Sequence, residues 1–172
     1  MNTFNEALND WQLFYATVAT ASATLSGLLF VALSINFERL RGSTGANRLR
    51  ISRRTFFDFI YVLMIGLVFL VPRQTPAGFS LALLVLAVSR LASLIRQSGS
   101  DMRVAQQKQT ILEVVREYAL PVVAALGLVL VAVAVLAGRF DALYWLVAAI
   151  AALLTRASWN AWLLLVQEGE AS

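Results

Sequence analysis

Cysteine and histidine are both absent from this chain, and proline occurs only three times in 172 residues. Without thiols there is no disulfide framework and no cysteine nucleophile. Without imidazole, the commonest general base near neutral pH and the commonest zinc ligand are missing too. Charge is also scarce: Asp, Glu, Lys and Arg make up 14% of the residues against 59% hydrophobic, and the mean hydropathy is +0.73. A soluble globular domain carries about 25% charged residues. The sequence holds no glycine-rich phosphate loop, and no second acid lies in an apolar segment to join Asp58 in an aspartyl dyad. Ser26-Gly27 lacks both the flanking glycine of a nucleophile elbow and a histidine base. An arginine-centred lipid-modifying enzyme would lack an evident base. The expectation is therefore a protein without enzymatic activity, cofactor or metal.

Long apolar runs are what the chain does have. They cover 11–37, 56–71, 77–95, 118–137 and 143–166, and each approaches or exceeds the roughly 20 residues that cross about 30 Å of hydrocarbon. The run 56–71 is the shortest. In lipid every backbone N–H and C=O must be satisfied internally, and these runs lack the period-two alternation of barrel strands. The predicted fold class is all-α, a polytopic helical bundle of about five transmembrane helices forming one membrane domain over 1–172. Met1 to Asp10 contains Glu6 and Asp10 but no basic residue, so the first segment does not read as a cleaved signal peptide.

Arginines set the expected orientation. Arg39, Arg41, Arg48, Arg50, Arg53 and Arg54 crowd the stretch 38–55, and Arg96, Arg103, Lys108 and Arg116 the stretch 96–117, whereas the second and fourth connections hold only Arg73 and Arg139. The positive-inside rule then puts the amino terminus outside, loops 38–55 and 96–117 in the cytoplasm, and the carboxyl terminus inside. Glu168 and Glu170 do not disturb this, because acids contribute little to orientation. Trp11, Tyr144 and Trp145 fall at the outer interface in this layout, and Trp159 and Trp162 toward the inner end of the last helix, as interfacial anchors do. Short connections at 72–76 and 138–141 predict antiparallel hairpins of the second with the third segment and of the fourth with the fifth.

The formal charge of +4 and the pI near 10.1 need no nucleic acid to explain them. Ten of the 14 basic residues lie in the two cytoplasmic loops, and no basic patch interleaved with stacking aromatics is present. The expected partners are the bilayer and its anionic headgroups, with Arg48, Arg50, Arg53 and Arg54 as candidate contacts. Residues 42–47 read as a flexible turn. Residues 104–117 alternate apolar and polar groups with helical period, predicting an amphipathic helix that runs into the fourth segment, with Pro121 kinking it near the inner boundary. Glu113 and Glu117 share a face at i, i+4 spacing, but with no histidine or third acid beside them they read as a solvated face rather than a metal site.

Two groups of residues stand out as candidate sites. In the first segment Thr17, Ala19, Thr20, Ala23, Thr24 and Gly27 are small at helical spacing, which suits close helix packing. The hydroxyls of Thr17, Thr20 and Thr24 also share one stripe that would suit a water-filled path. In the later segments Arg156 stands near the centre of the fifth, with Asn160 one turn away. A guanidinium at that depth must face protein or water. Arg90, nearer the cytoplasmic end of the third, is expected to snorkel. Asp58 is the one acid in a segment, and a pair with Arg156 is possible although the two depths match poorly. A shift of 66 positions superposes Arg73 on Arg139 and Arg90 on Arg156. That is the pattern of a duplication, but also one that apolar segments produce by coincidence.

The run Ala21-Ser22-Ala23-Thr24-Leu25-Ser26-Gly27-Leu28-Leu29-Phe30-Val31-Ala32-Leu33-Ser34-Ile35-Asn36 resembles the first helix of a group of small bacterial integral membrane proteins. Some of these carry the automatic label of modulators of the FtsH membrane protease. The resemblance implies a multi-pass protein of the bacterial inner membrane and supplies no functional residues. Two functional classes remain open. One is a regulatory or accessory subunit, contacting a membrane protein partner or another copy of itself through the small residues of helix one. The other is a small homo-oligomeric channel or transporter in which Arg156 and the threonines favour anions.

Overall fold

The computed structural model describes the backbone of residues 4–35, 45–104 and 111–169, and the side chains of 4–35, 51–96 and 119–162. Among these residues the chain is all-α: α1 Phe4–Ile35, α2 Gly45–Leu70, α3 Pro76–Val104, α4 Ile111–Leu136, a 3-10 turn Phe140–Ala142, and α5 Leu143–Gly169. Four stretches are long and apolar enough to cross a membrane: Phe4–Ile35, Pro76–Arg96, Ala119–Leu136 and Phe140–Trp162. The apolar part of α2 covers only about 15 residues, from Phe56 to Leu70, or roughly 22 Å at 1.5 Å per residue. Large apolar side chains such as Leu13, Leu81, Leu130 and Trp145 stand exposed on the helices, as a protein solvated by lipid requires.

The helices outrun the apolar segments that announced them. Hydropathy marks depth in the bilayer, whereas a helix continues for as long as its residues tolerate it, and arginine, glutamine and leucine all do. Helix α2 thus starts at Gly45, so Gly45, Ala46 and Asn47 are helical rather than a turn, and Arg48, Arg50, Arg53 and Arg54 occupy helix positions rather than a loop. Helix α3 continues to Val104, and α4 begins at Ile111 and runs through Pro121 without interruption. The loop positions Arg39 and Arg41, the turn residues 42–44 and residues 105–110 of the expected amphipathic helix lie outside the described residues. The side chains of Arg48, Arg50, Arg103, Glu113, Arg116 and Glu117 also lie outside them.

The contacts fall into two units. The first comprises Met1–Trp11 and Val71–Ile150. Here α3 packs along α4, with Phe79, Leu83 and Ala87 buried on the first helix and Ala125, Leu128 and Ala132 on the second. Phe4 lies against Phe79 at 5.6 Å and Phe140 at 5.4 Å between ring centroids, and Trp11 meets Tyr144 edge-on at 5.9 Å. The ends of its helices are chemically marked. Thr75 caps α3, accepting the Gly78 N–H on Oγ1 at 3.1 Å, with Pro76 in the first helical position where its missing N–H costs nothing. At the end of α4, Gly138 adopts φ +76°, its N–H donates to Val135 O, and the Arg139 N–H donates to Ala134 O at 2.9 Å. These are the two bonds of a Schellman stop.

The second unit comprises Gln12–Leu70 and Ala151–Ser172. Helices α1 and α2 approach closely at Gly66, where a Cβ would lie 2.8 Å from Ala19 Cβ and 2.9 Å from Tyr15 O. One turn beyond, Tyr15 and Phe69 stack with their planes 7° apart. Farther along, Leu29 of α1, Phe59 of α2 and Ala157 of α5 form a buried cluster joined by Leu25, Leu33, Phe56 and Leu154. The buried positions of α1, among them Tyr15, Val18, Ser22, Ser26 and Leu29, recur every three or four residues, as knobs-into-holes packing demands.

Candidate polar sites within the helices

Polar side chains placed at apolar depth must be satisfied, so each is a constraint on the fold and a candidate for function. In the second unit Ser52, Thr55 and Asp58 follow one another at three-residue spacing on α2 and are all buried, Asp58 to 1% exposure. Thr55 returns its hydroxyl to Ile51 O at 3.0 Å. Arg156 and Asn160 of α5 are half-buried. Asp58 and Arg156 are the chain neighbours of Phe59 and Ala157, which share one core cluster.

Arg90, in the first unit, departs from the expectation of a snorkelling side chain. It is buried to 7% exposure, on the same face of α3 as Leu83, Ala87 and Leu94. That face of α3 is its packed one, so the side chain is held within the unit rather than along the lipid surface.

The small residues of α1 divide between two faces. Ala19, Ser22 and Ser26 turn inward, whereas Thr17, Thr20, Ala23, Thr24 and Gly27 are exposed. The exposed hydroxyls are satisfied by their own helix: Thr17 donates to Leu13 O, Thr20 to Ala16 O and Thr24 to Thr20 O, each at 2.9 Å. A Cβ at Gly27 would meet nothing within 4 Å. The stripe therefore lines no interior of a single chain, and a path along it requires several copies. On the inward face Ser26 donates to Ser22 O at 2.8 Å, while the buried Ser22 Oγ, like Ser80 Oγ of α3, has no hydrogen-bond partner among the described residues.

Gly66 was not singled out from the sequence, although it decides how α1 meets α2. The available signal was its isolation: no other glycine occurs between Phe56 and Leu70. The aligned arginines of the 66-position shift occupy unlike backbones, Arg73 at φ +53° and Arg139 at φ −97°, so the two turns are not copies of one structure. No family model, curated protein or solved structure matches the chain.

Proposed function

We propose that this integral membrane protein is a non-enzymatic accessory or regulatory subunit of a bacterial inner membrane, acting through the outer face of α1. The supporting observation is the contrast between that face and the exposed sides of α3 and α4. On α3 and α4 the exposed positions within the apolar stretches are mostly large, such as Leu81, Val85 and Leu130, and suit lipid, whereas α5 also exposes the small residues Ala148, Ala151, Thr155 and Ser158. On α1 the exposed line Thr17, Thr20, Thr24 and Gly27 is small and self-satisfied, the surface that lets a second helix backbone approach and gain dispersion contacts lipid cannot match. The partner is a helix of another copy or of a different membrane protein. The resemblance of residues 21–36 to proteins labelled as modulators of a membrane protease agrees with such a role.

The topology that goes with this reading has five spans, amino terminus outside and carboxyl terminus inside. Assembly tests the proposal: Gly27→Leu should lower the content of complexes extracted in mild detergent without changing the helical content of the protein. Unchanged complexes would remove its basis. A second reading, an oligomeric anion path, rests on the half-buried Arg156 beside Asn160, since a permanent positive charge at apolar depth selects anions where water reaches it.

A further inference from the structure

Helix α2 alone among the five carries a cluster of arginines toward its amino end, at positions 48, 50, 53 and 54, and its first turn holds no acid. The amino end of a helix already carries the positive pole of the macrodipole, where cations are disfavoured. In sequence Arg50 precedes Arg53 and Arg54 by three and four residues, spacings at which like charges disfavour a helix. Asp58, four residues after Arg54 and so on that arginine's stripe, is buried to 1% exposure and does not share the stripe of Arg53. Arg53 is exposed, and its guanidinium carbon sits 5.7 Å from the ring centroid of Phe57, itself 40% exposed.

From Arg53 the same stripe continues through Phe57, Ile60, Met64 and Leu67, spaced alternately by four and three residues. Every one of these is apolar and at least partly exposed. The stripe is thus cationic at one end and greasy along the remainder. From Arg53 to Met64 it measures roughly 16 Å at 1.5 Å per residue, about half of the ~30 Å hydrocarbon thickness and so one leaflet. Because the apolar part of α2 is shorter than the bilayer, Arg53 comes to the interface.

We infer that this face of α2 is a binding site for an anionic phospholipid, independent of the contact face on α1. The headgroup phosphate accepts N–H bonds from the guanidinium group of Arg53, which presents planar paired donors to phosphate oxygens, and the neighbouring arginine positions 48, 50 and 54 add charge to the attraction. Phe57 carries the boundary between headgroup and chain, and the acyl chains lie along Ile60, Met64 and Leu67. The charge complementarity selects an anionic over a zwitterionic lipid, whose ammonium group the arginine cluster repels.

The test uses the full-length protein, delipidated in a neutral detergent. Phosphatidylglycerol should raise the melting temperature clearly more than phosphatidylcholine of the same chains, and inorganic phosphate at the same concentration should not reproduce the rise. The difference between the lipids should vanish in R50Q/R53Q and persist in R73Q/R139Q, which removes as much charge elsewhere. Native mass spectrometry of the unmodified protein in an equimolar mixture of the two lipids should show retained phosphatidylglycerol in excess, a readout that no folding defect of a variant can disturb. Equal retention of both lipids, an equal rise with both, a rise with phosphate alone, or a preference that survives in R50Q/R53Q would each overturn the assignment.

Discussion

Gly66 of α2 lies directly against Ala19 of α1, so close that a methyl group at position 66 would stand 2.8 Å from the Ala19 methyl. Lipid tails are as apolar as leucine, so helices in a membrane gain from packing rather than from escaping water, and close approach is the device that supplies it. Gly66→Ala should therefore destabilise the protein by about 1–3 kcal/mol, the usual cost of overpacking. Gly27→Ala, where the added methyl meets nothing within 4 Å, should raise monomer stability by roughly 0.5–1 kcal/mol through the better helix propensity of alanine. Thermal unfolding of both variants in detergent checks the pair, and equal losses would contradict the assigned contact.

The helix ends offer a second test. Thr75→Ala removes the bond from the Gly78 N–H and should cost about 1 kcal/mol. Gly138→Ala places a side chain at φ +76° and should cost about 1–2 kcal/mol. Arg73→Gly should run the other way, relieving an arginine held at φ +53°. Denaturation curves that rank the three differently would contradict these backbone assignments.

Orientation can be read by labelling, since the chain has no native cysteine to interfere. Single cysteines at Asn5 and Thr75 should react with an impermeant reagent from outside, whereas those at Ser43, Ser100 and Ser172 should react only after permeabilisation. Labelling of positions 43 and 75 from the same side would show that α2 does not cross the bilayer and reduce the spans to the four long apolar stretches.

Arg156 separates the two functional readings. If it anchors structure, Arg156→Met should be tolerated, as exchange of a buried ion for an apolar group of similar volume often is, and Arg156→Glu should be the more destabilising change. If it serves an anion path, Arg156→Met should leave assembly intact and abolish anion flux in liposomes. An absence of flux in the unaltered protein at either polarity of applied potential would rule against the path.

The sequence revealed most where the physics is one-dimensional. Apolar length announced the helices of the 11–37, 77–95, 118–137 and 143–166 segments, and turn chemistry at Thr75-Pro76 and Gly138 announced their ends. It was least informative where function depends on which side of a helix a residue faces. Ala19 and Ala23 are indistinguishable as small residues at helical spacing, yet one is buried against Gly66 and the other exposed. That difference is set by α2, a partner distant in sequence. Arg90 was misjudged for a related reason: its face of α3, shared with Leu83, Ala87 and Leu94, is buried by packing that the edges of apolar runs do not report.

The central claim, that the outer face of α1 is a contact surface, is tested most directly by cross-linking in intact membranes. Single cysteines at Thr17, Thr20, Thr24 and, as lipid-facing controls, Leu81 and Leu130 are treated with a mild oxidant and with a bifunctional maleimide. Covalent adducts should form at Thr17, Thr20 and Thr24, to a second copy or to another membrane protein, with little or none at Leu81 and Leu130. Adducts equally frequent at all five positions, or confined to the two controls, would contradict it.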